Sequence, residues 1–196
     1  MATFKGIKGF TVQTLSSDPT TADSVGQIYY NSTSNAFKYV QPGGVSAGTW
    51  SSGGALNTGR SSVLPSQGGT QTAAMAAGGG LPTSSSTSAE QYNGSAWTEV
   101  NAVNTGRQAG GGAGTSTATL IFGGNGPVLV TESFDGTNWT EVGDLNTAPA
   151  ATTRGTGTQT ATIRMGGYPN VNVTETWNGS SWTEVAELNT ARGAGQ

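Results

Sequence analysis

The chain of 196 residues contains no cysteine and no histidine. Thiol nucleophiles, disulfides, imidazole bases and most zinc or copper sites are therefore excluded. Charge is also scarce: 8 basic and 11 acidic side chains make up 10% of the residues and leave a formal net charge of -3. Only Lys5 and Lys8 cluster, so the basic field that nucleic acid or an anionic membrane surface requires is missing. No stretch approaches the roughly 20 apolar residues that span a bilayer, and Met1 to Phe10 lacks the apolar run of a signal peptide. A soluble protein made in a cytoplasm is expected. Leu, Ile, Val and Phe together number only 30, a content low enough to raise the question of disorder.

A repeat answers that question. Trp50, Trp97, Trp139 and Trp182 stand at intervals of 47, 42 and 43 residues, and the last three open the same phrase, Trp-Thr-Glu-Val. Six residues beyond each Trp comes Leu56, Val103, Leu145 or Leu188, followed by Asn-Thr. A disordered chain seldom keeps tryptophans in register, and such a period marks repeated β units rather than a single enzyme core.

Three strands are readable in each unit. The first runs into a glycine pair: Ala73–Ala77 before Gly78-Gly79, Ala118–Phe122 before Gly123-Gly124, and Ala161–Met165 before Gly166-Gly167. Met75, Leu120 and Ile163 hold equivalent places, with small residues two positions earlier that let sheets approach closely. The second strand ends at Tyr92, Phe134 or Trp177, followed by Asn93-Gly94, Asp135-Gly136 or Asn178-Gly179, which are strong hairpin signals. The third begins at Trp97, Trp139 or Trp182, so the pairs Tyr92/Trp97, Phe134/Trp139 and Trp177/Trp182 are expected to face each other as the repeat core. About three units are complete and a fourth is begun.

Residues 1–48 do not share the repeat. Phe4, Ile7 and Phe10 precede a turn-rich stretch, and Gly26 to Val40 reads as a hairpin in which Tyr29, Tyr30, Phe37 and Tyr39 flank a polar Asn/Ser/Thr turn. Pro42-Gly43-Gly44 then separates this arm from the repeat region, residues 49–196.

The repeat resembles the kelch repeat, a four-stranded propeller blade with a glycine pair, a downstream aromatic, a Trp and a segment ending in Arg. Those features fall on Gly78-Gly79, Tyr92, Trp97 and Arg107; on Gly123-Gly124, Phe134 and Trp139; and on Gly166-Gly167, Trp177, Trp182 and Arg192. The units are shorter than the family's ~50 residues, and Pro149 stands where one Arg is expected. The fold this implies is all-β, a hairpin arm followed by kelch-like repeats in a partial β-propeller, with a β-solenoid or β-prism as the alternative. Three blades do not close a ring of four to eight, so either the chain continues past Gln196 or copies complete one another. The arm resembles segments of bacteriophage tail-fibre and other virion proteins, which implies attachment to a virion or fibre axis.

The recurring acids Glu90, Glu132 and Glu175, and Glu99, Glu141 and Glu184, invite comparison with glycosidase carboxylate pairs. A catalytic pair is usually single, however, whereas a residue in every unit serves the unit, as a strand-end acceptor or a solvated charge. Arg60, Arg107 and Arg192 follow Asn-Thr, and the kelch resemblance implies that they pair with a carboxylate or backbone carbonyl. Gly78-Gly79-Gly80 and Gly110-Gly111-Gly112 lack the Lys-Ser/Thr of a phosphate loop. Sequons at Asn31, Asn93, Asn138, Asn172 and Asn178 are explained by composition. Polar loops at Leu81 to Ser88, Asn125 to Pro127 and Tyr168 to Asn172 suit binding better than catalysis. The expectation is a non-enzymatic virion protein without cofactor or metal, made in the host cytoplasm and placed in the phage tail. Its expected partners are other virion subunits, further copies of itself with a trimer favoured, and a host-surface glycan or protein; neither nucleic acid nor membrane insertion is expected. A bacterial kelch-like interaction module is the alternative. A glycan-active enzyme, using acids such as Asp18, Asp23, Asp144 or Glu187, is a third.

Overall fold

A computed structural model describes residues 12–19, 28–39, 52–126, 128–148 and 154–193. Phe4, Ile7, Phe10, Asp23, Trp50, Pro127 and Pro149 lie outside them, as does the side chain of Tyr39. The described residues are all-β, in two units comprising residues 1–52 and 53–196. Among the described residues there is no helix long and apolar enough to cross a membrane.

The first unit holds β1 (Gln13–Leu15), β2 (Ile28–Asn31) and β3 (Ala36–Tyr39). β2 and β3 form the expected hairpin, with Tyr30 opposite Phe37 and their rings 5.2 Å apart. β1, which the sequence reading leaves out, pairs parallel to β2. It is pinned beyond the ladder by Asp18, which accepts hydrogen bonds from Asn31 Nδ2 at 2.6 Å and Lys38 Nζ at 2.8 Å. The Lys38, Tyr29 and Asn31 donors hold the Asp18 carboxyl below its usual range.

The second unit is three four-stranded antiparallel meanders. They are β4 (Leu64–Pro65) to β7 (Trp97–Val100), with β5 at Ala74–Ala77 and β6 at Ala89–Tyr92; β8 (Gly111–Thr115) to β11 (Trp139–Val142), with β9 at Ala118–Phe122 and β10 at Thr131–Phe134; and β12 (Arg154–Thr158) to β15 (Trp182–Glu184), with β13 at Ala161–Met165 and β14 at Thr174–Trp177. Each sheet therefore has one strand more than the three read from the sequence. The extra strands are β4, β8 and β12; β8 and β12 read Gly-Gly-Ala-Gly-Thr and Arg-Gly-Thr-Gly-Thr, a composition that signals loops. They are strands because of where they sit: β8 lies against both β4 and β12, where neighbouring sheets come closest. A Cβ on Gly112 would fall 2.2 Å from the Pro65 carbonyl oxygen, and one on Gly155 would fall 2.4 Å from the Phe122 ring.

The sheets pack face to face and bury two apolar layers. Between the first and second lie Leu64, Met75, Ala77, Val103, Ile121, Phe134 and Trp139. Between the second and third lie Leu120, Phe122, Leu145, Trp177 and Trp182. β9 is thus buried on both faces, and its unbroken apolar run Leu120-Ile121-Phe122 follows from that position. The expected aromatic pairs form in register, with centroids 5.1, 4.9 and 5.5 Å apart for Tyr92/Trp97, Phe134/Trp139 and Trp177/Trp182. Phe122 adds an edge-to-face contact with Trp182 across sheets, at 4.9 Å; such pairs contribute ~1 kcal/mol beyond their burial.

Candidate functional site

The joint between sheets is built from a buried ion pair. Glu132 on β10 is fully buried and accepts hydrogen bonds from the backbone N–H of Asn104 (2.7 Å), the backbone N–H of Thr105 (3.1 Å) and Asn104 Nδ2 (2.9 Å). Arg107 Nη2 completes the shell, while the Arg107 Nε donates to the Thr105 carbonyl at 3.2 Å. Asn104-Thr105-Gly106-Arg107 leaves the last strand of the first sheet and clasps the carboxylate of the second. It is held to its own sheet where the Gly79 N–H donates to the Arg107 carbonyl at 2.8 Å. Gly78 and Gly79 have φ of 57° and 117°, and a Cβ on Gly78 would lie 2.5 Å from that carbonyl oxygen, so the glycine pair is required by both conformation and close approach.

The clasp recurs at Glu175, which accepts from the Asn146 N–H (2.9 Å), the Thr147 N–H (3.1 Å) and Asn146 Nδ2 (2.9 Å). The cation here is not three residues after the Asn, where the sequence has Pro149. Arg164, from the middle of β13, donates to Glu175 through Nε at 3.2 Å and also through Nη2, and Nη2 bonds the Thr147 carbonyl at 2.8 Å. A basic residue inside a strand otherwise reading Ala-Thr-Ile-x-Met was the available signal. It replaces Ala76 and Ile121 of the sister sheets. Burial pushes the Glu175 carboxyl up, but Arg164 and the two amide donors outweigh it and leave the group below its usual range. Burial likewise pulls the Arg107 guanidinium down against the opposing pull of Glu132.

The clasp on Glu90 is sparser. It accepts from the Asn57 N–H at 2.8 Å and lies 3.0 Å from Arg60 Nη2, but the Arg60 guanidinium nitrogens and Glu90 Oε1 have no hydrogen-bonding geometry. All three acids are buried acceptors, which corrects the solvated-charge reading for this set; their cross-strand partners Glu99, Glu141 and Glu184 are exposed. None of the clasped carboxylates is free for acid–base work. Of the remaining acids, Asp18 is tied into the arm, Asp144 is exposed, and exposed Glu187 accepts from Asn172. Arg192 is exposed, and no ion pair to it is found among the described residues.

A tryptophan hydrogen bond joins the second and third sheets and has no counterpart at the first joint. Trp182 Nε1 donates to Thr131 Oγ1 of the preceding sheet at 3.0 Å. At the corresponding position the first sheet has Ala89, so buried Trp139 Nε1 has no partner. Trp97 is half-buried.

The loops joining the second and third strands of each sheet run beside the Asn-Thr segments, the Thr87, Leu129 and Asn172 carbonyls accepting from the N–H groups of Val103, Leu145 and Leu188. They carry Leu81 to Ser88, the stretch beginning at Asn125, and Tyr168 to Asn172. Tyr168 is 58% exposed. In the arm, Tyr29 is buried beside Asp18, whereas Ile28 and Phe37 are 57% and 64% exposed. The turn sequons are structurally occupied: Asn93 Oδ1 accepts from the N–H groups of Ser95 and Ala96, and Asn178 Oδ1 from those of Ser180 and Ser181. Compared with models of known protein families and with curated proteins, the chain finds no match.

Proposed function

We propose that this is a structural virion protein of a bacteriophage, a tail-fibre or tail-associated subunit. In this reading the three sheets are kelch-like propeller blades, the arm attaches to other virion subunits, and the loop ridge meets a host-surface glycan or protein. The protein acts as a homo-oligomer, with a trimer favoured, and without catalysis or cofactor. The observation that carries the reading is the division of labour between the two units. The repeat unit holds its buried charged side chains, Arg60/Glu90, Arg107/Glu132 and Arg164/Glu175, in clasps, with polar Gly/Ser/Thr/Asn loops beside them. The arm exposes Ile28 and Phe37 on one face of a small sheet, where a partner's apolar surface would cover them. Rigid β scaffolds carrying adaptable loops suit recognition.

Deleting residues 1–40 is the test. Loss of the chain from purified particles, with the repeat unit still folded, supports the anchor role; normal incorporation of the truncated chain overturns it. The alternative, a bacterial kelch-like interaction module, is favoured by the same loop ridge, and capture of a cellular protein in the absence of any particle would select it.

A further inference from the structure

The joints between sheets use three features, an apolar layer and a carboxylate clasp at both and a hydroxyl–indole bond at the second, and the outer face of the third sheet carries a counterpart of each. The first feature is apolar. Met75 and Leu120, Ala77 and Phe122, and Val103 and Leu145 are all buried by the following sheet. Their counterparts Ile163 and Leu188 are only half-buried, and Met165 is 36% exposed. The second is a hydroxyl: Thr131 Oγ1 receives the Trp182 indole, whereas buried Thr174 Oγ1, at the same register, has no partner among the described residues. The third is the clasp. Asn189-Thr190-Ala191-Arg192 repeats Asn104 to Arg107 and is held in the same way, with the Gly167 N–H donating to the Arg192 carbonyl at 3.0 Å and the Leu188 N–H to the Asn172 carbonyl at 2.9 Å. It is preformed, but it holds no carboxylate among the described residues.

We infer that this face docks head to tail onto the first sheet of a second copy of this chain. The complementary half is present at the opposite end of the repeat unit. There Tyr92, Trp97 and Ala74 are half-buried, whereas their counterparts Phe134 and Trp177, Trp139 and Trp182, and Thr119 and Thr162 are buried. Glu90 has the sparsest clasp of the three, without the second backbone donor or the Asn side-chain bond that Glu132 and Glu175 receive. In the joint, Asn189–Arg192 of one copy replaces Asn57–Arg60 on Glu90 of the next. The Trp97 indole N–H meets the Thr174 hydroxyl, and Ile163, Met165 and Leu188 cover Tyr92 and Trp97. The two surfaces differ, so the association is heterologous and builds a ring or an open row. The inference rests on the homo-oligomeric part of the proposed function and not on its virion part, so the purified full chain tests it alone.

Sedimentation velocity is the experiment, with Ile163→Lys blocking the outer face of the third sheet and Ala74→Lys blocking the face of the first. Both positions are only half-buried, so each variant keeps the wild-type thermal melt. The wild-type chain is expected to gain mass with concentration, each variant alone to stay monomeric, and their equimolar mixture to stop at a dimer. Arg192→Ala in the wild-type background is expected to weaken association at least about tenfold, because a charge that pairs in the buried joint is lost. A wild-type chain that is monomeric at all concentrations, variants that associate as the wild type does, or a mixture that stays monomeric would each overturn the head-to-tail joint.

Discussion

Replacing Glu132 with Gln tests the clasp most sharply. The carboxylate is wholly buried and meets four donors: two backbone N–H groups, the Asn104 amide and Arg107. The amide side chain keeps one acceptor oxygen but turns an NH2 group toward donors, and it leaves the Arg107 charge buried without a counter-ion. Breaking a buried pair from one side costs ~3–5 kcal/mol. That is a large part of the ~5–15 kcal/mol that holds a domain folded. With a urea m-value of ~2 kcal/mol/M, the unfolding midpoint is expected to drop by ~2 M. The double variant Glu132→Leu/Arg107→Met is expected to recover more than half of the loss, because the orphaned charge is then gone and what remains without a partner is neutral: the N–H groups of Asn104 and Thr105 and the Thr105 carbonyl that Arg107 reached. The assay is urea unfolding followed by tryptophan fluorescence, since Trp139 and Trp182 lie buried at the two joints. A Glu132→Gln shift worth less than about 1 kcal/mol, in a folded protein, would refute the reasoning.

Three further outcomes are expected. Ala89→Ser supplies the acceptor that Trp139 Nε1 lacks and should stabilise by ~1 kcal/mol, whereas Thr131→Val removes the Trp182 acceptor and should destabilise by ~1–3 kcal/mol in the same unfolding assay. Gly112→Ala places a methyl against the Pro65 carbonyl and should cost ~1–3 kcal/mol or more through overpacking, visible as a lowered melting temperature. The carboxyls of Asp18, Asp135 and Glu175 are all held below their ordinary range, by Lys38, by the Asn138 and Thr137 amides, and by Arg164 with Asn146 and Thr147 against the opposing push of burial. A depressed folded-state pKa gives stabilisation that is complete above the unfolded value of ~4 and is lost as pH falls through the folded one. The melting temperature should therefore be level above about pH 5 and fall below about pH 4, and Glu175→Gln should flatten part of that fall.

The last three strands of each sheet were legible because aromatic spacing and Asn-Gly or Asp-Gly turns are local signals, and the pairs Tyr92/Trp97, Phe134/Trp139 and Trp177/Trp182 follow from them directly. The first strands β8 and β12 were not. Their glycines answer to the crowding of neighbouring sheets, a long-range constraint that locally looks like a loop. The repetition of Glu90, Glu132 and Glu175 marked them as serving the repeat, but burial alone distinguishes them from Glu99, Glu141 and Glu184 on the adjoining strand. The third clasp was hidden for a related reason. Its cation moved from the Asn-Thr segment, where Pro149 interrupts the pattern, to Arg164 within a strand, and only the fold brings the two places to the same carboxylate. In the arm, the hairpin was readable from its aromatics, whereas the parallel strand Gln13–Leu15 carries no local β pattern and is held through Asp18.

The most direct test of the proposed role is to follow this chain through density-gradient purification of particles from its natural source, by mass spectrometry of each fraction. Sedimentation of the chain with intact particles at a constant ratio to the other virion proteins is the expected result. Its absence from particles, together with recovery in a complex with a cellular protein, would contradict the virion assignment and leave the interaction-module reading in its place.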